Sequence, residues 1–297
     1  MTFPRIPKRI FQTWKRHADP AFADPMASWR DLNPDWEWQL FDDNEARAFV
    51  ATHFADWLQL YDALPFAVLR ADVWRYMVIF VEGGLYADAD TVCAAPIASW
   101  AEGTALGASG KAADTTLLIN MELPTSFCQW TFAAAPRHPA IGAVLAHIKH
   151  RLETKPLQAY PNVLDVLEYT GPLGFTTSLL VAEPTLRLLP GFYAAHGIGV
   201  LEEGMFGSEG HGGVVRGPRV VVEHLYHGSS PDGWITTINN SEGAPPVAPV
   251  APVAPVVATL VLLVAAACLA AGLAALCLER SPHTLRRAAQ HAADARI

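Results

Sequence analysis

The spacing of apolar residues changes period several times along the first hundred positions, and each change marks an element. Arg9 to Trp14 (RIFQTW) is a short strand-like run. Within Trp29 to Asp43, Asn33-Pro34 signals a turn. Trp36, Trp38 and Leu40 then alternate with Glu37 and Gln39, the period of two of a strand. Asn44 to Leu58 reads as a helix capped by Asp42 or Asp43. Pro65 opens another, with Leu69, Val73, Met77 and Phe80 on one face and Gly83-Gly84 ending it. Leu85-Tyr86 begins a short strand, and Asp88-Ala89-Asp90 follows at once. Further on, Ala140 to Leu152 is a predicted helix with a basic end and Arg216 to Leu225 a predicted strand. Strands alternating with helices predict an α/β sandwich.

A different pattern begins near residue 242. Gly243 to Pro255 reads GAPPVAPVAPVAP, with Pro at every third position, the repeat of a polyproline II turn. At ~3.1 Å per residue this is a stalk of about 40 Å, either semi-rigid or a slack spacer. Val256 to Leu278 follows without a charge, Pro, Asn, Gln or His. As a helix it would span ~35 Å, enough for a hydrocarbon core of ~30 Å, so one transmembrane helix is expected. The predicted organisation is a folded head over 1–241, a stalk over 242–255, a span over 256–278 and a short basic tail over 279–297. Arg280, Arg286, Arg287 and Arg296 follow the span, which places the tail in the cytosol by the positive-inside rule. A span reached so late in synthesis favours a cytosolic head instead, and both orientations stand. The opening residues carry charge but no apolar core behind it, so no signal peptide is expected.

Composition adds two exclusions. The 297 residues are 51% hydrophobic and 17% charged, with a mean hydropathy of +0.19, too apolar for a disordered chain. The net charge of −8 excludes a nucleic-acid partner held on a basic face. Cys268 and Cys277 fall in the apolar span, while Cys93 and Cys128 read as small buried hydrophobes with no metal-binding spacing.

Candidate chemistry begins with Asp88 and Asp90. In extended chain, residues i and i+2 point to one side, so two carboxylates converge on a hard divalent cation. The bland rival is a solvated turn. Asp72, Arg75 and Tyr76, at i, i+3 and i+4, share a helix face that could hold a ribose hydroxyl and a phosphate. The rival there is a surface ion pair of little worth.

The runs IPKRIFQTWK, NPDWEW and RADVWRYMVIFVEGGLYADADT, with FCQWTFAAAPRHP (Phe127 to Pro139) and EYTGPLGFT (Glu168 to Thr176), together resemble glycosyltransferase family 32 over about residues 5–235. These are Asp-x-Asp sugar transferases. The later blocks look most like initiation-specific α-1,6-mannosyltransferases. They look less like the mannosyltransferases that act on inositol phosphorylceramide. The resemblance implies a GT-A-like nucleotide-sugar-binding α/β/α sandwich, here ahead of the stalk and transmembrane helix. It implies a membrane-anchored, metal-dependent, retaining hexosyltransferase of Golgi or endomembrane type. GDP-mannose is the favoured donor, a glycan or glycolipid the acceptor, and the bilayer is a partner through 256–278.

Residue by residue, the resemblance assigns Mn²⁺ (or Mg²⁺) to Asp88 and Asp90. It places Arg70 and Asp72 near the ribose and donor sugar; these four are the expected catalytic residues. Arg70 or Arg75 would neutralise the departing diphosphate. Gly83 and Gly84 match a pair that lets backbone approach the donor, and Gln12, Thr13 and Trp14 a block beneath the nucleotide base. Trp14 either stacks on that base or packs in the core. Thr170-Gly171-Pro172 matches a loop near the acceptor or diphosphate. Relatives tend to end His-His-x-x-Gly-Ser-Trp, whereas this chain reads EHLYHGSSPDGW. His224, Gly228 and Ser229 match, while Leu225 and Ser230 replace the second His and the Trp. His224 is the favoured third metal ligand and His227 the second choice. Retention of configuration needs no dedicated base, so none is assigned, and Asp165 and Glu168 read as solvated surface. The altered block leaves a second class open: a nucleotide-sugar-binding membrane protein with weakened catalysis.

Overall fold

Buried apolar pairs set the register of the first sheet. The computed structural model describes residues 3–17, 19–157, 161–210, 213–215, 219–227 and 233–239, all within Met1–Ala248, the first of the two units into which the chain divides. Strands β1 (Arg9–Thr13) and β2 (Glu37–Phe41) pair in parallel, Ile10 opposite Trp38. The other strands are β3 (Gly84–Ala87), β4 (Thr91–Cys93), β5 (Leu117–Leu123), β6 (Ser126–Phe127), β7 (Thr131–Ala134), β8 (Gly191–Tyr193), β9 (Ile198–Leu201), β10 (Phe206–Gly210), β11 (Gly213–Val215) and β12 (Val222–His224). The helices are α1 (Ala23–Leu32), α2 (Asp43–His53), α3 (Leu58–Asp62), α4 (Ala67–Glu82), α5 (Ala105–Ala108), α6 (Pro139–Thr154), α7 (Val163–Tyr169), α8 (Pro172–Ala182) and α9 (Trp234–Asn239).

The result is a mixed α/β architecture around a central sheet, in the order β2-β1-β3-β7-β5-β9-β8, with β6 added to β5. The β2, β1 and β3 run is parallel, β7 enters antiparallel, and β5 and β9 run parallel to each other. On one face Phe11, Tyr86, Ile119 and Phe132 pack against α4, α6 and α8. The opposite face departs from the expected α/β/α sandwich. Ile10, Leu85 and Leu118 meet Trp29 of α1 and Trp100, and a second sheet of order β11-β10-β12-β4 closes this side. The physical reason is aromatic volume: Trp29, Trp100, Trp130 and Phe206 fill the space that another long helix would occupy.

The local readings largely hold, with informative shifts. Asp42 caps α2 in a reciprocal capping box with Glu45, but the helix breaks at Phe54 and resumes as a 3-10 turn and α3 rather than running to Leu58. Trp29, ahead of the Asn33-Pro34 turn, lies in α1. Of the strand expected over Arg216–Leu225, residues 216–218 lie outside the described residues; among the rest the strand covers Val222–His224, while Arg219 bonds the Ser99 and Glu102 carbonyls ahead of it. Helix α4 is buried almost all round, from Asp72 to Ile79, because the sheet lies on one side and α2 and α6 on others. Cys93 and Cys128 are buried and unpaired by disulfide. Among the described residues no helix is long and apolar enough to cross a membrane. The predicted stalk, span and tail lie outside the described residues.

Gly83 ends α4 at φ +65°, and Gly84 opens β3 at φ +103°, where a Cβ would stand 2.6 Å from the Arg9 carbonyl oxygen. Gly84→Ala therefore combines a left-handed backbone with overpacking of the β1–β3 pair, and is expected to cost about 2–4 kcal/mol. The urea midpoint followed by circular dichroism reads that loss.

Candidate functional site

Asp88 leaves the end of β3 at the carboxyl edge of the sheet, where α/β folds present ligands. The segment is not the extended chain that the i, i+2 argument assumed. The Asp88 carbonyl accepts the Thr91 N–H at 3.2 Å and the Thr91 hydroxyl at 2.6 Å, which closes a β-turn. The turn is required because the chain must leave β3 in one sheet and enter β4 in the other. The carboxylates nonetheless converge. Asp88, Asp90 and His224 each offer a ligand atom, all within 4.8 Å of one another, an arrangement able to hold a cation.

This turn is held from several sides. Gln12, fully buried on β1, donates from Nε2 to the Asp88 carbonyl at 3.1 Å and accepts the Trp38 indole N–H at 2.7 Å. The Asp88 N–H donates to the Trp130 carbonyl at 2.9 Å. From the C-terminal side, the Leu225 N–H meets the Asp90 carbonyl and the His227 N–H meets Asp90 Oδ2, both at 2.9 Å.

Beneath the turn lies a buried charge network. Arg75 reaches Asp88 Oδ1 at 3.0 Å and Asp72 Oδ1 at 3.1 Å, and also donates to Gln129 Oε1. Its guanidinium sits 4.8 Å from the Tyr86 ring centre, and the Tyr86 hydroxyl donates to Asp88 Oδ1 at 2.5 Å. Asp72 Oδ2 accepts the Thr170 hydroxyl at 2.7 Å, and Tyr76 donates to the Thr170 carbonyl at 2.8 Å. Asp72 and Arg75 are 2% and 5% exposed, so the pair is not the surface ion pair considered from the sequence.

The charges move the titrations in opposite directions. Burial raises the Asp72 carboxyl to about 6, against the pull of Arg75 and Thr170. Burial also pushes Asp88 upward, but Arg75, His224 and Tyr86 outweigh it and hold Asp88 below the usual carboxylate range. Burial works to lower His224, and the carboxylates of Asp90, Asp88 and Glu122 more than reverse it. His224 Nε2 stands 3.9 Å from Asp88 Oδ2 and 3.7 Å from Asp90 Oδ1. The Tyr226 N–H donates to Nδ1 at 2.9 Å, which makes Nδ1 an acceptor and puts the neutral ring's proton on Nε2. Coordination through Nε2 would move that proton and release the Tyr226 bond, so the two carboxylates are the primary donor atoms.

Other expected residues are placed differently. Arg70 lies on α4 one turn before this network, donating to the Leu64 carbonyl at 2.6 Å; its charge opposes the burial that raises Asp43. Among the described residues it makes no ion pair with Asp72, Asp88 or Asp90. Gly83 and Gly84 stand at the opposite end of β3 from Asp88, where Pro136 and Arg9 crowd them, so their need for glycine is local. Thr13 donates to the Phe41 carbonyl at 3.0 Å. Trp14 is half-buried, its ring 4.3 Å from Phe22 and 5.6 Å from His227, and its indole N–H donates to Asp19. Gly171 caps α8 and would touch α7 through any side chain. Leu225 is exposed, and Trp234 packs against the α4-side core. Gly228, Ser229 and Ser230 lie outside the described residues. A cleft of about 330 Å³ opens at the end of β2, lined by His17, Trp38, Gln39, Leu40, Phe41 and Glu45.

The sequence reasoning missed Tyr86, Gln129, Trp130 and Glu122. Gln129 and Trp130 fall inside a quoted block, FCQW, but nothing local says that they face α4 and His224 across the sheet.

Residues 21–106 match the family described as a glycosyltransferase sugar-binding region containing a DXD motif. The chain is similar to an initiation-specific alpha-1,6-mannosyltransferase of Schizosaccharomyces pombe, 29% identical over 197 residues, covering 59% of this chain and 48% of that protein. An inositol phosphoceramide mannosyltransferase 3 of the same organism is 42% identical over 89 residues, 30% of this chain and 25% of its own. A third relative from that organism, inositol phosphoceramide mannosyltransferase 1, is 25% identical over 219 residues, covering 70% and 63%. The chain thus spans about half the length of the first of these. A solved structure titled PaToxG Glycosyltransferase aligns at 18% identity and a TM-score of 0.39, over 60% of this chain and 70% of that one, a likeness too slight to carry an argument.

Thr170→Ala removes the hydroxyl bond to a buried carboxylate and is expected to cost about 1–3 kcal/mol, most of it recovered by Thr170→Ser. Thermal unfolding of the two variants side by side measures the difference.

Proposed function

We propose, from the match of residues 21–106 to the model of a glycosyltransferase sugar-binding region containing a DXD motif, that the chain transfers a hexose from a nucleoside diphosphate to a glycan or glycolipid acceptor. Mannose from GDP-mannose is the favoured donor, by similarity to the α-1,6- and inositol phosphoceramide mannosyltransferases. The observation that carries this reading is the convergence of Asp88, Asp90 and His224 above the buried Arg75–Asp72 pair.

The donor set fits a hard divalent cation. Two carboxylates supply oxygen ligands, and Asp88 is held ionised. Mn²⁺ or Mg²⁺ bound there would supply charge neutralisation for the leaving diphosphate. The chain's own residues do the rest. Arg75 fixes Asp88 in place and adds positive potential beneath the site. Both oxygens of Asp72 are engaged, by Arg75 and Thr170, so Asp72 acts by holding Arg75. Gln12 and the backbone N–H groups of Leu225 and His227 keep the turn's shape. Arg70, on the turn of α4 before Arg75, is available to the diphosphate once its bond to the Leu64 carbonyl is exchanged. None of Gln12, Thr13 and Trp14 lines the cleft at the end of β2; they bond Trp38 and Phe41, which do, so a base-binding role for them would be exerted through those two residues. The parallel β2-β1-β3 run, with the site at its carboxyl edge, supports the GT-A-like reading. Attack from the leaving-group side, with retention, lets a diphosphate oxygen take the acceptor's proton. The head over 1–241 would be tethered by the apolar stretch 256–278 through the Pro-rich stalk.

The test offers GDP-mannose, UDP-galactose and UDP-glucose to the purified chain, with Mn²⁺ and with chelator. Mn²⁺-dependent release of one nucleoside diphosphate is expected, reduced about a hundredfold or more by Asp90→Asn. Nucleotide binding without release from any donor would leave a binding protein in place of a transferase.

A further inference from the structure

We propose that Glu122 binds the sugar of the donor: its carboxylate accepts hydroxyl hydrogen bonds from the hexose and so determines which hexose is taken. The inference rests on the transferase reading above.

Strand direction places the residue. β3 and β5 are each antiparallel to β7, which lies between them, so β3 and β5 run the same way. Glu122, near the carboxyl end of β5, therefore reaches the same edge as Asp88, two strand spacings away, roughly 10 Å. A hexose joined to a diphosphate at the acidic turn would have to extend along this edge for its hydroxyls to meet Glu122.

Trp130 connects the two points. Its carbonyl accepts the Asp88 N–H at 2.9 Å, its ring lies 4.7 Å from His224, and its indole N–H donates to Glu122 Oε1 at 2.9 Å. One side chain thus fixes Glu122 relative to the turn.

The chemistry of the position needs a ligand. Glu122 is half-buried, and among the described residues Trp130 is its sole hydrogen-bond partner and no cation stands within ion-pair distance. Arg75, the cation nearest in kind, is committed to Asp72 and Asp88. Burial raises the Glu122 carboxyl above its ordinary value, and the Asp88 charge adds to this, while the Trp130 bond and the charges of His224 and Arg75 oppose it without cancelling it. Accepting one indole N–H would need only a neutral amide. A free carboxylate oxygen at the ligand edge is instead suited to neutral donors arriving from solution, and the hydroxyls of a hexose are such donors.

Calorimetry of the full chain with Mn²⁺ tests this, using GDP against GDP-mannose and UDP against UDP-glucose. Glu122→Gln keeps an acceptor for Trp130. It should leave nucleoside diphosphate binding within about twofold and weaken the sugar nucleotide about 10- to 100-fold, the loss of one or two hydrogen bonds to a charged group. Glu122→Asp, which keeps the charge and shortens the reach, should fall between. Unchanged ratios of sugar-nucleotide to nucleoside diphosphate affinity in both variants would overturn the proposal, as would equal weakening of the two ligands. A native chain that binds no donor and no diphosphate would overturn the transferase reading, and this inference with it.

Discussion

A single buried guanidinium organises this molecule. Arg75 is withdrawn from water between two carboxylates, and removal from water costs a charge several kcal/mol unless its partners are well placed. Asp72 comes from the same helix, Asp88 from the end of β3, Gln129 from the approach to β7, and Thr170, through Asp72, from the α7–α8 junction. Four separate stretches must therefore arrive together before the charge is tolerated. This explains why α4, the helix that carries Arg75, has no solvent face over its central turns.

Above that pair, the acidic turn belongs to two sheets at once. Asp88 ends a strand of the larger sheet, and Thr91 begins a strand of the smaller one. β12, which pairs with β4, brings His224 back beside the turn. Small sheet and candidate site are the same construction: without β12 the carboxylates would lack both their imidazole neighbour and the N–H groups of Leu225 and His227. Tyr226, between them, adopts φ 52°, a left-handed conformation that turns the chain back over Asp90.

What was legible in the sequence follows range of interaction. β2, the α2 cap, the α4 stripe and the glycine stop after it are encoded within a few residues, and each was visible. Asp88 and Asp90 were visible as chemistry, but the turn that shapes them was not, because it answers to a sheet change decided by β12 more than a hundred residues on. α8 was missed for another reason. Its run PLGFTTSLLVA has little amphipathic contrast, and so gives no helical period to read. Glu122 and Trp130 carried no local signal at all. Their meeting depends on a β5–β7 hairpin register that alternation alone does not set.

The closure between His227 and Asp90 spans 137 residues of chain. A ribosome delivers the acidic turn well before its cover. During that interval the central sheet can assemble from β1 through β9, whereas in the smaller sheet β10 and β11 can pair with each other but β4 has no partner until β12 is made. The nascent domain thus passes through a stage with a framework and an open, uncapped pair of carboxylates. The full three-residue site is therefore complete only once β12 has been made, and its closure carries the loop entropy of a long intervening chain.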